Sequence, residues 1–227
     1  MDPLGKSADQ IISQTISDKL DGASWHFFQS RSLLDLAKRT QRASLIHFAA
    51  LELRYGIEYL LFELLVISVE ALDEKTYQKC IGDPHEMKKM LGKHGANYEK
   101  LARFTTVVVS LSNPQFKVHV WDIAALFATW GVASEFLHFV GIHRQRQENL
   151  TWIVESIARL ETQLDPIWKA ITETHAAGVM TPSRMVPKVK AVWEDFVSGN
   201  LSLDDVTLRL KIQFPNAWMS GTQIIGI

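Results

Sequence analysis

The clearest pattern of apolar and polar positions lies between Ala43 and Leu72, a long apolar run with no proline and one glycine. Its charges are confined to Glu52, Arg54, Glu58, Glu63 and Glu70. Such a segment predicts a long helix, largely buried. His47, Leu51, Arg54 and Glu58 recur at helical spacing and form one stripe along it. Arg54 and Glu58, four residues apart, share a face. Polar groups carried into an apolar setting need partners, so this stripe is a candidate site.

The same reading divides the rest of the chain. Residues 7–20 predict a helix capped by Ser7, with Ile11, Ile12, Ile16 and Leu20 on one face. Trp25 to Lys38 predicts a second helix, with Trp25, Phe28, Leu33, Leu34 and Leu36 as core contacts. Asp73 to Cys80 predicts a short polar helix. Asp83-Pro84 starts another, short helix, with Gly92 and Gly95 bracketing its end and Tyr98 to Phe104 helical again. Thr105 to Val120 has a β-branched cluster, an Asn113-Pro114 turn signal and an alternating KVHV; it reads either as a β-hairpin or as the end of the preceding helix. Trp121 to Ile142 and Asn149 to His175 predict two further apolar helices, the latter with Leu150, Ile153, Val154, Ile157, Leu160, Leu164, Ile167, Trp168 and Ile171 on one face. Pro166 is expected to kink it. A composition shift at residues 176–182 reads as a linker. Pro187 to Val197 and Leu203 to Ile212 predict two short helices, the second started by Ser202 with Asp204 and Asp205. The expected fold is therefore all-α: a bundle of about five long or medium helices over 1–177, with one small hairpin if 105–120 is extended, and a helical appendage over 178–227.

Composition narrows the function. The chain has 227 residues, 47% of them hydrophobic, and 24 basic against 25 acidic side chains, a net charge of −1. That balance gives no indication of RNA, DNA or an anionic membrane as main partner. No stretch approaches the ~20 apolar residues of a membrane span. The polar N-terminus has no signal-peptide core, and the single cysteine, Cys80, fits a reducing cytosol. The expected location is cytoplasmic. Seven tryptophans supply burial and interface material.

Catalytic signatures are sparse. There is no P-loop, dinucleotide glycine fingerprint, HExxH, CxxC or GxSxG. One ExxH, Glu135 to His138, falls short of the two copies a di-iron bundle uses. No cofactor and no metal is expected. Arg42 and His47 are separated by four residues, the spacing of the catalytic pair in HEPN-type ribonucleases. In that family the arginine stabilises phosphate charge and the histidine moves the proton. The plain alternative is a basic turn and a packed histidine.

Ala49 to Leu60 spells A-x-L-E-L-R-x-x-I-E-x-L, and Leu137-His138 sits late in a second apolar helix. On these residues the stretch Ser44 to Gly141 resembles a set of bacterial all-helical proteins similar to HEPN domains, some linked to phage defence and toxin systems. The resemblance implies the helical fold and a defence setting. The R-N-x-x-x-H motif does not occur in the later helices. Arg54, Glu58 and His138 then form either a polar network that fixes helix register or a small-ligand site. The uncharged tail, with Phe214, Trp218, Ile224 and Ile225, is expected to serve as an interface. The leading expectation is a non-catalytic interaction or sensor subunit with a protein partner or a second copy of itself. Alternatives are a metal-independent HEPN-type ribonuclease and a ligand-binding regulator.

Overall fold

The computed structural model describes residues 6–7, 22–69, 71–72, 75–76, 79–80, 83–137, 149–173 and 176–214. The fold is all-α. Seven helices are described from end to end: α1 (Ala23–Thr40), α2 (Ala43–Ser68), α3 (Pro84–Ser112), α4 (Ile123–Glu135), α5 (Leu150–Ile171), α6 (Pro187–Val197) and α7 (Leu203–Gln213). A 3-10 turn (Pro182–Arg184) and four two-residue strands are also described. β1 (Lys6–Ser7) pairs antiparallel with β2 (Ala71–Leu72), and β3 (Lys117–Val118) pairs in parallel with β4 (Ala176–Ala177). The helix expected over 7–20, the end of the helix expected to reach Ile142, and the tail beyond Phe214 lie outside the described residues.

Caps explain several of the boundaries. Asp83, Asp122 and Asn149 each accept a backbone N–H from the first turn of α3, α4 and α5. Ser202 and Asp205 form a reciprocal capping box at α7. Each cap satisfies a donor that a helix start otherwise leaves unpaired.

The chain divides into two compact units. The first comprises 1–12, 64–121 and 173–227, the second 13–63 and 122–172. In the first, α6 and α7 bury Val189, Val192, Val206 and Leu210 in one core with Leu101, Phe104 and Val108 of α3. Phe214 packs against this core. Phe104 meets Trp193 edge-on at 5.2 Å. Residues 179–214 therefore share their apolar core with α3. In the second unit, α1 packs on α5, and α5 turns Ile153, Ile157, Leu160, Leu164 and Ile167 inward. Leu150 and Val154, expected on that face, are exposed. α5 remains helical through Pro166.

In the middle of the chain the structure decides between the two readings of 105–120, in favour of the end of the preceding helix, and corrects one expectation. Residues 105–112 are helical, so TTVVVSLS is no hairpin strand. The β-branched residues carry core contacts there: Thr105, Val108 and Val109 are buried, and Thr105 Oγ1 accepts from the Met180 backbone N–H at 3.2 Å. Packing outweighs the modest intrinsic cost of β-branching in a helix. Nor do Gly92 and Gly95 end a helix, for α3 runs through both. Its inward positions Met87, Leu91, Tyr98 and Leu101 keep helical spacing, and that burial exceeds the ~1 kcal/mol penalty of a helical glycine.

α1 also differs from expectation. Trp25, Phe28 and Leu36 are exposed, and the buried face is Ala23, Phe27, Ser30, Leu34 and Ala37. Small residues allow α2 to approach closely. Ser30 donates to the Ala49 carbonyl at 2.9 Å. Gly56 lies against the Phe27 ring so tightly that a Cβ there would fall 2.6 Å from a ring carbon.

Candidate functional site

Both candidate places in the second unit are built on its helices. The first is the polar stripe on α2. Arg54 Nε donates to Glu58 Oε1 at 2.9 Å, and the indole Nε1–H of Trp130, on α4, donates to the same oxygen at 2.8 Å. The Arg54 guanidinium lies over the Trp130 ring at 5.1 Å. One carboxylate thus collects two donors, and the cation rests on the π-face of one of them. The side chains of Arg54 and Glu58 keep 31% and 26% of their exposure. The pair is at the edge of the core, wetter than the apolar surroundings of the sequence implied. Trp130 was not among the expected site residues. Its only sequence signal was an indole N–H that needs an acceptor when partly buried. His138, the third expected member, lies outside the described residues.

His47 Nδ1 pairs with the Phe136 backbone carbonyl at 2.8 Å, and its ring packs 5.7 Å from that of Trp152. Arg42 is exposed in the link between α1 and α2. Glu135 of the lone ExxH pairs with Arg159 at 2.7 Å. Among the described residues no group of three His, Cys, Asp or Glu side chains gathers as a metal site would. No described helix is long and apolar enough to cross a membrane.

Glu63 is a titratable group the sequence reading passed over. Its carboxylate accepts the backbone N–H of Ala23, in the first turn of α1, whose cap residue Gly22 supplies no side-chain acceptor. Burial pushes its pKa up to about 7, against the lowering effect of that bond.

The second place is aromatic. Trp25 and Phe28 of α1 stack with centroids 6.2 Å apart, and Phe28 meets Trp168 of α5 at 6.2 Å. Trp25 and Phe28 keep 46% and 51% of their exposure. Three residues beyond Phe28, Arg31 forms an ion pair with Asp165, itself three residues before Trp168. Arg31 and Lys38 both reach Glu161, at 3.8 and 2.6 Å. The result is an exposed aromatic strip across two helices, flanked by ion pairs. Of the tail residues expected at an interface, Phe214 packs on the first unit's core, while Trp218, Ile224 and Ile225 lie outside the described residues. No protein-family model, curated protein or solved structure matches this chain.

Proposed function

We propose that this protein is a non-catalytic interaction subunit, and that it engages a protein partner through the α1–α5 aromatic strip. The observation that carries the reading is the contiguity of Trp25, Phe28 and Trp168. Single exposed apolar side chains are ordinary on a monomer, but a stacked aromatic group with a polar rim is the composition of an interface centre. Arg31, Lys38, Glu161 and Asp165 beside it are paired with one another, which lowers the charge a partner meets. The defence setting rests on the A-x-L-E-L-R helix, and the cytoplasmic location on the lone cysteine. The test is co-expression of the full chain with the products of its neighbouring genes. Wild type is expected to co-purify with one of them and Trp25→Ala/Phe28→Ala to lose it with unchanged melting. Equal recovery with both forms contradicts the assignment.

A further inference from the structure

A cleft of about 320 Å3 opens within the first unit, large enough for a small ligand. The end of α2 contributes Ile67 and Ser68, α3 contributes Lys100 and Leu101, the turn after β4 contributes Ser183, and α6 contributes Lys190 and Trp193. Leu101 and Trp193 are buried and give the cleft an apolar inner wall. Lys100 and Lys190 are exposed on two different helices, and no carboxylate lines the space. Among the described residues neither lysine makes an ion pair, in a chain whose net charge is −1. The exposed Ser183 hydroxyl, 3.1 Å from that of Thr181, adds a polar group that rotates to donate or accept. Two lysines lining one cavity raise the positive potential there, and lysine binds phosphate as a point charge. A phosphomonoester carries close to two negative charges at neutral pH, which matches them.

We propose that the cleft bounded by the end of α2, α3, the turn at Ser183 and α6 binds a small organic phosphomonoester, its phosphate between Lys100 and Lys190 and its carbon part against Leu101 and Trp193. This site stands apart from the interaction reading and does not depend on it. The test is calorimetric titration of the full chain with phenyl phosphate, beside phenylacetate and benzyl alcohol. Saturable binding of phenyl phosphate is expected, about tenfold or more tighter than phenylacetate, with none for the alcohol. Lys100→Ala/Lys190→Ala is expected to weaken phenyl phosphate by about tenfold or more at unchanged melting temperature, and Lys100→Arg/Lys190→Arg to retain it. Absence of saturable binding by wild type, equal affinity for phenylacetate, or binding that the alanine pair leaves intact would overturn the proposal.

Discussion

Gly56 shows how a single missing methyl sets a helix contact. The Phe27 ring occupies the space its Cβ would fill. Gly56→Ala improves helix propensity by ~1 kcal/mol but forces the ring or the backbone to move, and overpacking of this kind costs about 1–3 kcal/mol. The expected net result is a lower melting temperature. Gly92→Ala, whose Cβ meets nothing within 4 Å, is expected to stabilise by about 0.5–1 kcal/mol. Denaturant unfolding of the two variants checks the opposite signs. The half-exposed Arg54–Glu58 pair predicts a modest effect: Arg54→Ala is expected to cost about 1 kcal/mol, well below the loss from a truly buried pair. At Glu63 the proton is held more tightly in the folded chain than in the unfolded one. Its contribution is complete below about pH 4.5 and is lost as pH rises through about 7. Glu63→Gln removes that dependence. Relative to wild type it is expected to gain on the order of 2 kcal/mol between about pH 5 and about pH 8. Parallel pH slopes for the two proteins would contradict the assignment.

At the scale of elements, the legible parts were those whose signals were local. The α7 start was read from Ser202 and its acidic first turn, and the capping box is there. Ser202→Ala is accordingly expected to cost about 1 kcal/mol of stability, measurable by thermal melting. The start of α3 was likewise written in Asp83-Pro84. What was not legible depends on partners distant in sequence. The inward face of α1 is made of Ala23, Ser30 and Ala37 around Phe27 and Leu34, because α2 comes close enough to need small residues. Hydrophobicity alone pointed to Trp25 and Phe28 instead. The TTVVV cluster was compatible with strand or helix, and its burial beside Met180 goes with the helix. Trp130 became visible only when α4 placed its indole beside Glu58. Of the expected site, then, the Arg54–Glu58 pair was readable from i, i+4 spacing, and the indole N–H that Trp130 donates to Glu58 was not.

At the scale of the whole molecule two claims stand: residues 179–214 complete the core around Phe104, and the α1–α5 aromatic strip is the proposed surface for a partner. For the first, a chain ending at Ala177 leaves Leu101, Phe104 and Val108 uncovered, and it is expected to aggregate or lose cooperative unfolding. The second is the central claim, and two adjacent phenylalanines test it most directly. Phe27 is fully buried and Phe28 is half exposed. Melting and partner binding of Phe27→Ala and Phe28→Ala, measured side by side, should separate cleanly. The account predicts a stability loss of about 3–5 kcal/mol for Phe27→Ala. For Phe28→Ala it predicts a change within about 0.5 kcal/mol together with weakened association. A Phe28→Ala protein that binds as wild type, or that melts as low as Phe27→Ala, would contradict it.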